Sequence, residues 1–298
     1  MSHPDQHPSP QTQPNEWLTD SNGQVALSIR FKGDRLFKEE SPYQTVEVFD
    51  THSCGKMLTI DSMVMCTEWD EAAYHEMIAH VPMLTHPSAK DVLVIGAGDG
   101  GTIRELMRHP SIEKVTMVEI DEAVVRASKL FLPTISSALN DPKLTLLIDD
   151  GIKFVHDAQD ASYDLIIIDS SDPVGPSEGL FTASFYQEVY RILRPGGIIT
   201  VQSESPSFNP KAFTELNPCL KKIFGQDKVH CYLVFIPTYP TGLWSLTYCS
   251  KDGPHPITDF DRTRSAEFAQ THGLRYYNED VHQAAFCLPT YIRKMIES

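Results

Sequence analysis

The chain has 298 residues, 41% hydrophobic and 22% charged, a make-up that can bury a sizeable core and excludes wholesale disorder. Forty acidic against 25 basic residues give a formal charge of −15, which repels phosphate backbones and argues against a nucleic-acid partner. No apolar run approaches the ~20 residues of a membrane span, no signal-peptide pattern opens the chain, and the six cysteines include no CxxC pair, which suits reduced thiols in a cytoplasmic protein.

Residues 1–15 carry four prolines and no apolar side chain beyond Met1, so a mobile tail is expected; His3 and His7 are read as part of it, not as metal ligands. Residues 16–67 read as a small antiparallel β domain. VALSIRF, YQTVEVFD and GKMLTID alternate apolar with polar residues and are separated by turn residues. At Thr67 the period changes. Thr67 and Asp70 have capping-box spacing and predict a helix over Trp69–Met83, with Tyr74, Met77, Ile78 and Val81 on one face. Residues 68–298 read as one α/β domain. DVLVIG, KVTMVEI, LTLLID, YDLIIID and GIITVQ are strands, and GTIRELMRH, EAVVRASKLF and SFYQEVYRIL are helices between them. Near-continuous apolar strands separated by helices indicate a parallel sheet covered on both faces. VHCYLVF and LWSLTYC are expected to pair antiparallel at one edge.

The chemistry gathers at the strand ends. Gly96-Ala97-Gly98-Asp99-Gly100-Gly101 follows the first α/β strand, where a nucleotide site needs backbone to approach its ligand closely. The spacing satisfies both GxGxxG and GxGxG, so the loop alone does not separate NAD from an S-adenosyl ligand. Glu119 ends the next strand, in reach of ribose hydroxyls. Asp99 repels a pyrophosphate and attracts an ammonium or sulfonium, which favours a cationic adenosyl compound. Asp150-Gly151 offers an acceptor for an adenine amino group, or is a plain strand-end turn. Asp169-Ser170-Ser171-Asp172-Pro173 ends the fourth strand. One carboxylate there can take a proton from an alkylammonium, of ordinary pKa near ~10.4, while the other balances its charge.

Taken in order, YQTVEVFD, LTIDSMVMCTEWDEAAYHEMIAHVP, VLVIGAGDGGTIRELMRHPSIEKVTMVEID, IDDGIKF, DLIIIDSSDPVGPSEGLF and IPTYPTGLW resemble the spermidine synthase (polyamine aminopropyltransferase) family, from about Trp17 to the C-terminus. The resemblance implies a Rossmann-like, seven-stranded methyltransferase-type sheet after the β domain, in a homodimer or homotetramer. It implies transfer of the aminopropyl group of decarboxylated S-adenosylmethionine to putrescine, giving spermidine and 5′-methylthioadenosine. The sulfonium is already an activated leaving group, so neither metal nor further cofactor is expected.

By the same resemblance Asp169 is the general base and Asp172 an amine-binding acid. Gln44, Gly96, Gly98 and Asp99 fall to the donor, as do Glu119, Asp150, Gly151 and Pro176. Tyr74, His75 and Tyr239 join Asp99, Asp169 and Asp172 around the polyamine, with Glu204 and Trp244 at the far end of the amine channel. Two departures stand out: Trp69 in TEWDE, where a charged residue is usual, and Ser207 in QSESPSF, where an aromatic is common. The second leaves agmatine, cadaverine or spermidine as alternative acceptors. An S-adenosylmethionine methyltransferase shares the adenosyl contacts, but Asp99 would face the methionine carboxylate. A polyamine-binding paralogue without turnover has no use for a base at Asp169.

Overall fold

A computed structural model describes residues 16–172 and 175–297. The expected tail at 1–15 lies outside the described residues, as do Pro173, Val174 and the side chain of Pro176.

The N-terminal β region forms two antiparallel sheets. β1 (Trp17–Ser21) and β2 (Ala26–Arg30) make a hairpin. β3 (Phe37–Glu40), β4 (Thr45–Asp50), β5 (Lys56–Ile60) and β6 (Met63–Thr67) make a four-stranded meander. β1, β3 and β6 lack the apolar alternation that marks the other three. In β1 the second inward position is Asp20 rather than an apolar residue, and β3 is a short, charged edge strand of the kind that blocks further pairing. The meander is buried on both faces. Leu18 and Ile29 of the hairpin pack on Phe49, Met57 and Val64, while Val46, Val48, Leu58 and Ile60 face the next domain.

α1 (Glu71–Thr85) joins the two parts, and all fifteen of its residues are buried. The expected single apolar face is therefore too narrow a description. The expected capping box is also replaced: Asp70 occupies the N-cap without a side-chain bond to the helix, and Thr67 Oγ1 instead donates to Asp70 Oδ1 at 2.7 Å.

Beyond it run β7 (Asp91–Gly96), α2 (Gly101–Leu106), β8 (Lys114–Glu119), α3 (Glu122–Phe131), β9 (Leu144–Ile148), α4 (Gly151–Asp157), β10 (Tyr163–Asp169), α5 (Ala183–Ile192), β11 (Leu193–Gln202), α6 (Pro210–Phe224), β12 (Val229–Phe235), β13 (Leu243–Ser250), α7 (Arg262–His272), α8 (Glu279–Ala285) and α9 (Thr290–Glu297). The sheet order is β12-β13-β11-β10-β7-β8-β9, with β13 antiparallel to both neighbours and the other pairs parallel. The expected α/β sheet and its antiparallel edge pair are both present. Val92–Val94 and Leu165–Ile168 are fully buried, as central strands covered by helices must be, whereas the edge strand β9 is half-exposed. α1 lies in the core on one face of the sheet, and α5 and α6 in the core on the other. α3 packs its Ala123, Val124 and Ala127 against the meander, so the β region shares a core with the α/β domain.

β8 lies to one side of β7 and β10 to the other. The chain reverses its winding between β7 and β10, and ligands of open α/β sheets bind outside the carboxyl edge at such a point.

Candidate active site

Gly96 and Asp169 are register partners across that switch point. Gly96 has φ +87°, and a Cβ there would lie 2.1 Å from the Asp169 carbonyl oxygen, so only glycine lets the loop cross β10 this closely. A cavity of about 1200 Å³, open mouth included, lies above the crossing between the carboxyl edge and the β region.

Asp169 is gripped from two elements. Tyr74 Oη of α1 donates to Oδ1 at 2.6 Å and Thr102 Oγ1 of α2 donates to Oδ2 at 2.6 Å. Burial, reinforced by the Asp99 charge, raises its pKa above the ordinary carboxyl range. Each oxygen keeps a second lone pair, so the carboxylate is oriented but can still accept a proton.

Asp99 accepts from the Gly101 amide at 2.7 Å and faces His75 Nε2 at 3.3 Å. Burial opposes its charge, and His75 outweighs burial, holding the carboxyl below its usual range. Glu119 receives the Asp121 amide on Oε1 at 2.8 Å, and burial pushes its pKa up to about 7. Asp150 caps α4, taking the Ile152 amide at 2.8 Å, and Gly151 opens that helix; both line the cavity with Gln44 and Gly98. A Cβ on Gly98 would meet Glu119 Oε2 at 2.9 Å, which ties the loop glycine to the acid at the end of β8.

At the other end stand Asp172, Gln202, Trp244 and Asp20. Asn209 Nδ2 donates to Asp172 Oδ2 at 2.9 Å and also to Glu204 Oε2, so one amide serves two carboxylates. Burial raises the pKa of both. Asp20 accepts the Val64 amide at 3.0 Å, and its burial again favours the protonated form. Glu204 has φ +71°, an uncommon value for a residue with a Cβ and one that clusters at functional sites. Tyr239 packs 4.9 Å from Trp244 and 6.3 Å from Tyr74, between the two ends.

The structure thus brings the residues expected around the donor and the amine, Pro176 aside, to one cavity or its immediate wall. Three more belong to it that the sequence reading did not single out. Thr102 follows the double glycine directly, a helix-start position that would have marked it. Asp20 and Asn209 left no local signal, because the Val64 amide is 44 residues from Asp20 and Asp172 is 37 from Asn209. Ser207 is exposed and outside the cavity, and its neighbour Phe208 supplies the lining aromatic. Trp69 is 52% exposed.

A doubly wound sheet with a glycine loop at its switch point and carboxylates along one cavity defines a Rossmann-like α/β enzyme with an acidic site. Residues 71–262 match the family model described as spermine/spermidine synthase domain, and residues 17–68 match that described as spermidine synthase tetramerisation domain. A polyamine aminopropyltransferase of Clostridioides difficile is 46% identical over 284 residues, covering 94% of this chain and 98% of the relative. One from a Thermoanaerobacter species is 42% identical over 282 residues, with the same coverage. A crystal structure of spermidine synthase in complex with the transition state analogue AdoDATO superposes with a TM-score of 0.90 at 36% identity, over 98% of each chain. The chain belongs to the spermine/spermidine synthase family, and it is an aminopropyl-transferring enzyme.

Proposed function

We propose that the enzyme transfers the aminopropyl group of decarboxylated S-adenosylmethionine to putrescine, forming spermidine and 5′-methylthioadenosine. The observation that carries this reading is the set of acids lining one cavity: Glu119 beside the glycine loop, Asp99 in that loop, Asp169 at the end of β10, and Asp172 and Asp20. That set suits a ribose diol, a sulfonium-bearing aminopropyl chain and a diamine laid end to end.

Asp169 acts as the general base. The reacting nitrogen gives a proton to an Asp169 oxygen, and its lone pair attacks the methylene carbon beside sulfur. The C–N bond forms as the C–S bond breaks, and the electron pair of that bond goes to sulfur, which leaves as a neutral thioether. Removing a proton from an alkylammonium is uphill by several pKa units in water; burial narrows the gap by disfavouring the charged amine and raising the basicity of Asp169. Alignment within the cavity supplies the rest of the acceleration. Asp172 holds the distal ammonium, Tyr74 and Tyr239 line the chain, and Gln44, Gly98, Asp150, Gly151 and Pro176 contact the thioadenosine. The boundary between the two domains falls at 67/68, and the β domain carries the contacts of a homo-oligomer, a reading supported by the tetramerisation-domain match at 17–68.

A different acceptor is the second reading. Asp20 and Asp172 line the cavity, with Glu204 behind Asp172 through Asn209, which is more acid than the single distal ammonium of putrescine needs. Incubation with decarboxylated S-adenosylmethionine carrying ¹³C in its aminopropyl group and equimolar putrescine, cadaverine, agmatine and spermidine, with labelled products read by mass spectrometry, ranks the acceptors. Spermidine should dominate the products; a guanidino product or spermine in its place would move the assignment to the second reading. Methyl transfer from S-adenosylmethionine at a comparable rate would overturn both. Asp169→Asn should lower kcat by about 10²–10⁴-fold while methylthioadenosine binding stays within a few-fold, and near-wild-type turnover would remove Asp169 as the base.

A further inference from the structure

His75 lies between two carboxylates. Its Nδ1 is 2.7 Å from Glu71 Oε2, one helical turn earlier on α1, and its Nε2 is 3.3 Å from Asp99 Oδ2 in the glycine loop. Carboxylates only accept, so a ring flanked by two of them must donate from both nitrogens. The fit is tight: a Cβ on Gly101 would lie 2.3 Å from the ring. Glu71 is itself held by Arg104 Nη2 at 2.6 Å and Arg275 Nη1 at 3.3 Å, and Arg104 also pairs with Glu105 at 2.7 Å.

We propose that Glu71 is a positioning residue that keeps His75 an imidazolium aimed at Asp99, so that Asp99 and Asp169 can both stay anionic in one cavity. Neither Glu71 nor Arg104 lines that cavity; both act through His75. The inference rests on the aminopropyl-transfer reading for its kinetic consequence only. Two carboxylates sharing a low-dielectric site ordinarily hold a proton between them. A fixed cation behind one of them lifts that restriction before a cationic substrate arrives. Burial by itself would favour the neutral ring, but Asp99 and Glu71 push the His75 pKa up to about 10, and Glu71 is drawn down to about 2 against its own burial.

The charged and titratable groups around the pair come from every packed element: Glu71 and Tyr74 of α1 with Asp70 at its N-cap, Cys66 of β6, Arg104 of α2, Glu119 of β8, Tyr239 of the β12–β13 loop, and Arg275 from the segment after α7. Among them Arg104 and Arg275 are the cations, and both pair with Glu71 and not with Asp99. His75 is then the only group of this set that can place positive charge against Asp99.

Glu71→Gln removes the charge that holds the second ring proton. His75 becomes neutral, the Asp99–Asp169 pair retains a proton to higher pH, and the acidic limb of kcat/KM moves upward. A shift of one pH unit or more is expected, with kcat/KM about tenfold lower on that limb and within threefold of wild type on the high-pH plateau. A purely structural role would lower the whole profile without moving the limb, and an unmoved limb overturns the proposal. The wild-type enzyme offers a test that needs no turnover and does not depend on the Glu71 variant. The ¹⁵N shifts of the His75 ring, assigned by their loss in His75→Gln, should report two protonated nitrogens from pH 6 to 8.5. A neutral ring at pH 7 in an enzyme that transfers aminopropyl groups overturns the inference and leaves the function standing. Absence of transfer with a doubly protonated ring does the reverse.

Discussion

On the proposed reading Glu119 holds the ribose of the nucleoside, and its burial then makes ligand binding sensitive to pH. Its folded pKa, pushed up by burial to about 7, lies well above its ordinary 4.5. A ribose diol donates two hydroxyls and so requires the carboxylate. Below pH 7 the acid must lose its proton before it can bind, so methylthioadenosine affinity should fall as pH drops from 8 to 6, approaching tenfold per unit at the low end. Glu119→Gln should bind more weakly and flatten that dependence. Calorimetry across the range checks it, and a flat wild-type profile would take Glu119 out of the nucleoside site. Asp99 poses the opposite case, since His75 outweighs its burial and holds the carboxyl below its usual range.

At the scale of elements, Asp70 ties the start of α1 to the β12–β13 loop that carries Tyr239. Its Oδ2 accepts the Thr238 amide at 2.8 Å and its Oδ1 accepts Thr238 Oγ1 at 2.9 Å, beside the bond from Thr67. All three residues are buried, so Asp70→Ala would strand an amide and two hydroxyls without partners. The loss is about 1–3 kcal/mol for each stranded group at most, which lowers the melting temperature by several degrees in a chain of this size. An unchanged thermal midpoint would mean that water replaces the carboxylate there. The hairpin plays a related part at the far end. It contributes Asp20, and Asn22 Nδ2 donates to the Phe208 carbonyl at 2.7 Å, fastening β1–β2 to the loop that holds Asn209.

Over the whole molecule the formal charge of −15 sets a field that attracts polyamines from a distance. Salt screens that field, with a Debye length of ~10 Å at 0.1 M. The kcat/KM for the amine acceptor should fall several-fold between 20 and 200 mM KCl, whereas binding of neutral methylthioadenosine should barely change. Equal salt sensitivity of the two would point to ion-dependent unfolding or dissociation, and not to steering.

The α/β sheet was legible because its order is written locally. Val92–Ile95 and Leu165–Ile168 are apolar throughout, since central strands are covered on both faces, and each is followed by a residue that lines the cavity. The glycine loop, Glu119 and Asp169 could be read for the same reason: a strand end fixes where its next side chain lies. The β region was read only in part. A buried acid at Asp20 erases the alternation of β1, and the charges of β3 belong to an edge. What only the tertiary structure decided is which charges meet. His75 is four residues from Glu71 but 24 from Asp99, and Asn209 is five residues from Glu204 but 37 from Asp172. Periodicity assigns a residue to a face of its own element, whereas the protonation of a buried group depends on neighbours that folding brings from elsewhere in the chain.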